Sequence, residues 1–209
     1  MKILAIGAHA DDVELGCGGT LAKHARAGDD VTIFIATDSA YSNYAKQVIR
    51  AADVASAESR AAAKILGAND LICCNLTTNG LVLNDDFVCA ILKIIEERRI
   101  DLIYTHWTGD MHSDHRVVGR ASITAGRHVP RLLMYRSNYY DTESVFRGNF
   151  YSDISATVET KKVAIRAHES EYNRVGEKWM TFFLNQNRND GIRIGVEYAE
   201  VFEVVKYLA

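Results

Sequence analysis

The sequence predicts an α/β protein with a Rossmann-like, mostly parallel sheet, helices on both faces and a C-terminal α+β extension. Short apolar runs alternate with segments in which apolar residues recur at helical spacing. Alternation of this kind produces βαβ units, whose right-handed crossovers build a parallel sheet. The last third of the chain loses the alternation. We therefore expect a core of residues 1–136 and an extension of residues 137–209 that packs on it.

Five apolar runs are typical of buried strands because each is four to six residues long and bounded by turn-forming or polar residues. The first run, Lys2–Gly7, ends at a glycine. The remaining four core strands and the expected terminal strand are Val31–Ala36, Leu71–Leu76, Leu102–His106, Leu132–Tyr135 and Val196–Tyr207.

Helices are predicted between these strands from apolar residues spaced three and four apart. The first is expected over Thr20–Ala27, with Gly28 as its C-cap. The others are expected over Ala45–Leu66, Asp85–Glu97, the residues that follow His112-Ser113, Thr157–Tyr172, and a segment around Trp179–Asn187.

The composition is that of an ordinary globular chain. Of its 209 residues, 48% are hydrophobic and 24% charged, and the net charge is −3 without a long run of one sign. Nothing here favours nucleic acid or an anionic membrane as a partner. No apolar run approaches the ~18 residues of a membrane span. The four cysteines lack C-x-x-C spacing, so we expect free thiols in a reducing cytoplasm. The length predicts a single domain. We expect this domain to assemble as a homo-oligomer.

A histidine and two carboxylates follow the first strand directly. His9, Asp11 and Asp12 lie at its carboxyl end, where open α/β sheets bind their ligands. His9 and Asp12 are three positions apart, so both can point at one centre in a tight turn, with Asp11 beside it. A pair of aspartates after a strand is more often a turn or a helix cap. The cluster alone therefore does not indicate a metal.

A second cluster, His112-Ser113-Asp114-His115, follows the fourth strand. If Asp110 or Ser113 caps the next helix, both imidazoles share one face near its first turn. The first and fourth strands are neighbours in a doubly wound sheet, so the two clusters converge. Two histidines and a carboxylate with spare acids and bases are typical of a catalytic Zn²⁺ site with one open position. Fe²⁺ is the alternative metal for such a ligand set.

The glycine-rich segment 16–19 raises the alternative of a nucleotide-binding Rossmann module. The dinucleotide fingerprint G-x-G-x-x-G requires a third glycine where this chain has Leu21. The glycines also follow an acidic loop, which would repel a pyrophosphate. A nucleotide-binding module or an interaction protein without catalysis remains an alternative, which bound metal after purification would exclude.

The two clusters resemble the motifs of the PIG-L/LmbE-like family of zinc-dependent N-acetyl-sugar deacetylases. Its first motif, A-H-P-D-D-x-x-x-G-x-G-G-T, is matched over residues 8–20 except that Ala10 replaces the proline. Its second, H-x-D-H, is matched by His112-Ser113-Asp114-His115. Weaker similarity covers Glu58–Gly67, Lys162–Ser170 and Gly195–Phe202.

The resemblance implies a role for each matching residue. His9, Asp12 and His115 would hold zinc, Asp11 would be the general base, and His112 would stabilise the oxyanion or act as an acid. Asp114 would orient one imidazole, with helix capping as its alternative role. From the residues alone, a protonated His112 could donate to the tetrahedral oxygen.

The expected reaction is hydrolysis of the acetamide of a small N-acetylated amino sugar or its conjugate, with a non-sugar amide as the alternative substrate. Tyr139, Tyr140, Trp179 and Arg193 are further candidates to line a sugar site. Two positions depart from the family pattern. Ala55 stands where an arginine often precedes the helix glutamate, and Glu171 stands where glutamine often occurs.

Overall fold

The computed structural model describes all 209 residues and contains a seven-stranded sheet of order β5-β2-β1-β6-β7-β9-β8. A two-stranded hairpin, β3–β4, lies apart from it. The strands are β1 (Lys2–Gly7), β2 (Asp30–Thr37), β3 (Tyr41–Ser42), β4 (Val48–Arg50), β5 (Asp70–Leu76), β6 (Leu102–His106), β7 (Arg131–Tyr135), β8 (Phe150–Asp153) and β9 (Ala199–Tyr207). The helices are α1 (Asp12–Arg26), α2 (Ala52–Leu66), α3 (Asp85–Arg98), α4 (Ser113–Ala125), α5 (Val158–Arg166), α6 (Glu169–Val175) and α7 (Glu177–Ile194).

Five neighbouring strands of the sheet are parallel, and two strands of the last third extend its edge. β1 lies between β2 and β6, with Ala5 opposite Ile33 and Tyr104. β9 pairs antiparallel with β7 and with β8. The predicted mostly parallel α/β fold is thereby confirmed. The terminal strand begins at Ala199 rather than Val196, and β8 was not predicted.

Helices cover both faces of the sheet because successive side chains of a strand point to opposite sides. Ile3 and Ala5 of β1 belong to a buried cluster that includes residues of α1, α2 and α5. Leu4 and Ile6 belong to the cluster on the other face, with residues of α3 and α4. Every one of these four side chains is completely buried. Burial on both faces explains why β1 is a continuous apolar run.

Helix α1 begins at Asp12, eight residues before the predicted start at Thr20. The glycines of α1 allow neighbouring side chains to pack closely against the helix, and they do not form a phosphate-binding loop. A Cβ added to Gly16 would lie 2.1 Å from a ring carbon of Tyr135, and one on Gly19 would lie 2.8 Å from Ile154. Real Cβ atoms essentially never come this close. Glycine has a low helix propensity, so the sequence did not indicate that residues 12–19 are helical.

Two other predicted helices differ from the structure. The segment expected over Ala45–Leu66 is helical only from Ala52, because residues 48–50 pair with Tyr41–Ser42 in the hairpin. The helix expected over Thr157–Tyr172 is divided into α5 and α6, with His168 between them. His168 is completely buried, so the break places an imidazole inside the protein.

A buried ion pair joins α1 to the last third of the chain. Lys161 of α5 and Glu200 of β9 lie 2.6 Å apart, and both side chains are fully buried. The Glu200 carboxylate accepts the backbone N–H groups of Gly19 and Thr20, and Lys161 donates to the carbonyl of Leu15. The pair therefore bonds to backbone groups within α1 itself.

All four cysteines are free, and Cys17 is the one that is buried. None of the seven helices is long and apolar enough to cross a membrane.

Candidate active site

The two predicted clusters meet in one cleft at the carboxyl ends of β1 and β6. His9 follows β1, and His112 and His115 lie at the start of α4, which follows β6. The cleft has a volume of about 310 Å³, and its lining includes His9, Asp11, Asp12, His112 and His115. The convergence predicted from the sequence is thus present in the structure.

Three side chains bring donor atoms close together in this cleft, and we call the residues His9, Asp12 and His115 the triangle. His9 Nδ1 lies 3.3 Å from His115 Nε2 and 3.3 Å from Asp12 Oδ2. His115 Nε2 lies 3.2 Å from Asp12 Oδ1. Ligands bonded to Zn²⁺ at about 2.0–2.1 Å in tetrahedral geometry stand about 3.3 Å apart. The two histidine nitrogens lie at this spacing, and each of them has one oxygen of the Asp12 carboxylate at a similar distance, so these donors are close enough together to hold one tetrahedral ion.

A carboxylate behind each histidine fixes which ring nitrogen faces the triangle. His9 Nε2 lies 3.1 Å from Asp114 Oδ2, so its hydrogen points to Asp114 and Nδ1 faces the centre. His115 Nδ1 lies 3.3 Å from Asp110 Oδ1, at ion-pair distance but without hydrogen-bond geometry, and its Nε2 faces the centre. Histidines that bind metals usually donate their other N–H to a carboxylate in this way. Asp114 thus contacts an imidazole, and it also accepts the N–H of Asn79.

Asp12 accepts hydrogen bonds from two sides. Its Oδ1 accepts the hydroxyl of Ser137 at 2.8 Å, and its Oδ2 accepts the backbone N–H of His9 at 2.7 Å. His106 lies below it, with Nε2 3.2 Å from Oδ2. His106 Nε2 accepts the N–H of Ala8, so His106 is a buried histidine that is hydrogen-bonded within the core.

Two wider groups also bring three donor atoms within 4.8 Å of one another: His9, His112 and His115, and Asp12, His106 and His115. His115 is common to both. Because the Nε2 lone pair of His106 is used by Ala8, His106 is a poor ligand. The structure therefore contains a candidate His/Asp metal site with His115 at its middle.

The charges around the triangle favour cations. Burial alone would lower the pKa of His9, but hydrogen bonds to Asp114 and Asp12 outweigh it and raise the pKa to about 9. Burial likewise opposes the charge on His115, and Asp12 and Asp110 raise its pKa to about 10. Burial favours the neutral form of Asp12, yet His115 holds its pKa well below the usual value. Positive charge is stabilised where the three donor atoms meet.

His112, rather than Asp110 or Ser113, is the N-cap of α4. Its Nδ1 accepts the N–H of Asp114 at 3.2 Å, which leaves the hydrogen on Nε2. Burial and the neighbouring His9 and His115 lower the pKa of His112 to about 4. The structure thus favours a neutral imidazole at His112 and not the protonated ring that was expected from the sequence. A neutral ring still offers its Nε2–H as a donor.

Asp11 has an unusual backbone conformation. Its φ is 111° and its ψ −28°, outside the regions that non-glycine residues usually adopt. Arg50, at the end of β4, donates to Asp11 Oδ2 at 3.3 Å and to the carbonyl of Ala10 at 3.0 Å. Burial and the Asp12 carboxylate raise the pKa of Asp11 to about 7, against the lowering influence of Arg50. Strained residues of this kind cluster at functional sites.

Three of the four candidates for a sugar site line this cleft: Tyr139, Tyr140 and Trp179. The fourth, Arg193, lines a separate cleft. Glu171, one of the two departures from the family pattern, accepts the Tyr41 hydroxyl and pairs with Arg174. It therefore forms part of the wall of the cleft.

The other departure, Ala55, is buried on α2, and an arginine from another element reaches the helix glutamate. Arg50 Nη2 lies 2.8 Å from Glu58 Oε2 and 3.3 Å from His168 Nδ1. Sequence reasoning missed Arg50 because its segment resembled a helix. It also missed Asp110 and Ser137 as partners of the triangle, although Asp110 stood beside the second motif.

The sequence is similar to those of known deacetylases. The sequence model described as "PIG-L: GlcNAc-PI de-N-acetylase" matches residues 4–126. The chain is 34% identical over 176 residues to the uncharacterized deacetylase YaiS of Escherichia coli K12, covering 80% of this chain and 90% of YaiS. It is 28% identical over 220 residues to the diacetylchitobiose deacetylase of Thermococcus kodakarensis, covering 95% of this chain and 81% of that enzyme.

A solved structure shows the same fold. The N,N'-diacetylchitobiose deacetylase of Pyrococcus horikoshii superposes with a TM-score of 0.84 at 23% identity, covering 98% of this chain and 83% of that one. The family match includes both histidine clusters, and the similarity to YaiS extends over most of the chain. This chain belongs to the PIG-L family of deacetylases.

Proposed function

We propose that this protein is a zinc-dependent N-deacetylase that hydrolyses the acetamide of a small N-acetylated amino sugar or its conjugate. The observation that carries the proposal is the triangle of His9, Asp12 and His115, with a carboxylate behind each histidine. The Thermococcus relative is named for deacetylating diacetylchitobiose, which supports a sugar substrate. The reaction consumes water and the acetamide, and it releases acetate and a free amine.

The residues fit Zn²⁺ on three grounds. The donor atoms stand 3.2–3.3 Å apart, two are imidazole nitrogens and one is a carboxylate, and the surrounding charges favour a cation. Fe²⁺ is the alternative for the same donor set. When bound, the ion supplies a Lewis acid and lowers the pKa of water at the site towards 7.

Two residues beside the triangle have the positions needed for amide hydrolysis. Asp11 lines the cleft next to Asp12, where its carboxylate can accept a proton from the attacking water and later pass it to the leaving amine. Arg50 holds that carboxylate in place. His112 can donate its Nε2–H to the oxygen of the acetyl carbonyl as negative charge develops there. The capping bond to Asp114 fixes the orientation of this donor.

The cleft suits a small polar substrate. Its lining combines hydrogen-bonding side chains such as Thr78 and Asn138 with the rings of Tyr139 and Trp179. Aromatic faces and convergent polar groups are typical of ligand pockets of this size. The aromatic and polar groups would hold the sugar ring and its hydroxyls while the acetamide lies at the triangle.

Acetate release from a panel of substrates tests the proposal. N-acetylglucosamine, diacetylchitobiose and a non-sugar acetamide such as N-acetyl-lysine are incubated with the protein, with and without a chelator. We expect release from at least one sugar, loss of it with the chelator, and recovery on adding Zn²⁺. Release from the non-sugar acetamide alone would assign another substrate class, and chelator-resistant release would refute the metal site. Arg188→Ala, an exposed change outside the cleft, is the control.

A further inference from the structure

A second cleft lies between α7 and the segment that connects β7 to β8. Its volume is about 460 Å³, and it shares no lining residue with the candidate active site. Its polar lining consists of three arginines, one carboxylate and three amides, among them Arg136, Arg147, Arg193, Asp190 and Gln186. None of the residues that line this cleft has a role in the proposed hydrolysis.

The charges of this cleft leave an excess of positive charge. Arg193 Nη1 lies 3.2 Å from Asp190 Oδ1, so these two groups neutralise each other. Arg136 lies against the ring of Phe146 at 5.5 Å and pairs with no carboxylate. The guanidinium of Arg147 likewise makes no ion pair. Two cationic groups are therefore free to meet an anion at one side of the cleft.

Three buried polar atoms in the lining have no hydrogen-bond partner: Asp190 Oδ2, Gln186 Oε1 and Arg136 Nε. Asp190 is only 4% exposed. Buried polar groups in proteins are nearly always paired with protein, water or a ligand. Two of these atoms are acceptors, so they require hydroxyl or N–H donors, whereas the arginines require an acceptor. A molecule that carries both kinds of group would satisfy them together.

We propose that this cleft is a second binding site, for a small hydroxylated anion such as a sugar phosphate or a sugar acid. The oxyanion would meet Arg136 and Arg147, and hydroxyl groups would donate to Asp190 and Gln186. Phe182, which is 39% exposed, offers a ring surface beside them.

The site has a direct connection to the candidate active site. Arg136 is followed by Ser137 and Asn138, which donate to Asp12 and Asp110. Phe182 packs against Tyr139, with ring centroids 5.5 Å apart. An occupant of the second cleft would therefore contact the segment that supports the triangle.

Isothermal titration at constant ionic strength tests the proposal with four probes: glucose 6-phosphate, glucuronate, glucose and inorganic phosphate. We expect at least one hydroxylated anion to bind at least tenfold more tightly than both glucose and phosphate. Which of the two anions binds more tightly distinguishes a phosphate from a carboxylate ligand. No binding, or equal binding of inorganic phosphate, would overturn the proposal.

Variants separate this cleft from the active site. Arg147→Ala, at an exposed position, should weaken binding at least tenfold, whereas Arg188→Ala on the same helix as Gln186 should leave it unchanged. His115→Ala should also leave it unchanged, because His115 lies outside the cleft. Binding that survives Arg147→Ala but is lost with His115→Ala would assign the anion to the active site and refute a second site. Melting curves check that each variant is folded.

Discussion

The backbone at Asp11 gives a prediction about stability that is independent of catalysis. At most positions glycine is less stable than alanine by about 0.5–1 kcal/mol, because it loses more conformational freedom on folding. At a left-handed position the alanine Cβ costs about 1–2 kcal/mol. With a φ of 111°, residue 11 should reverse the usual order. We expect Asp11→Gly to be more stable than Asp11→Ala by about 0.5–1 kcal/mol.

Comparing these two variants removes the contribution of the carboxylate. Both lose the contact with Arg50 and the proximity to Asp12, so their difference reports the backbone alone. The wild-type aspartate is not a suitable reference, because its side chain contributes to stability as well. Short polar side chains also tolerate positive φ better than alanine does.

Urea unfolding followed by circular dichroism gives the free energies. Ala61 provides the matched control, since it is exposed in the middle of α2 and Ala61→Gly should cost about 1 kcal/mol there. The sign should thus be opposite at residues 11 and 61. If glycine is less stable than alanine by the same amount at both positions, the backbone of Asp11 stores no strain.

The remaining predictions concern the roles of single residues. Asp11→Asn should retain the metal and the fold while kcat falls and KM stays near the wild-type value, as steady-state kinetics would show; near wild-type kcat would remove Asp11 from the mechanism. His115→Ala should lower metal affinity in a metal titration, whereas His112→Ala should bind metal normally and lose on the order of 10²-fold in kcat, about 3 kcal/mol; the reverse pattern would exchange their roles. Gly16→Ala should lower the free energy of unfolding by about 1–3 kcal/mol, because its Cβ would enter the ring of Tyr135; an unchanged midpoint in urea would show that the ring moves freely.

The sequence predicted the parts of the fold that follow from hydrophobic pattern alone. β1 and β6 are continuous apolar runs because both of their faces are buried, and their bounds were predicted correctly. The convergence of His9 with His115 followed from strand order in a parallel sheet. Local pattern and global topology agree at these positions.

Other features depend on contacts between distant residues. The first turns of α1 contain three glycines, whose low helix propensity is overridden by packing against Tyr135 and Ile154. Arg50 reaches Asp11 only because a two-stranded hairpin carries it there, and nothing near Arg50 in the sequence signals that partner. The hydrogen bond from Ser137 to Asp12 spans 125 positions. Such contacts cannot be read from spacing.

The ion pair of Lys161 and Glu200 has a consequence for the order of folding during synthesis. Glu200 completes the hydrogen bonds of Gly19 and Thr20, which are 181 and 180 positions earlier in the chain. At about 5–20 residues per second, a ribosome needs roughly ten seconds or more to make that intervening chain. Throughout this time, the backbone N–H groups of Gly19 and Thr20, in the helix that begins at Asp12, lack the carboxylate that accepts them in the folded protein. We therefore expect the candidate metal ligands near the start of the chain to become rigid only after β9 has left the ribosome.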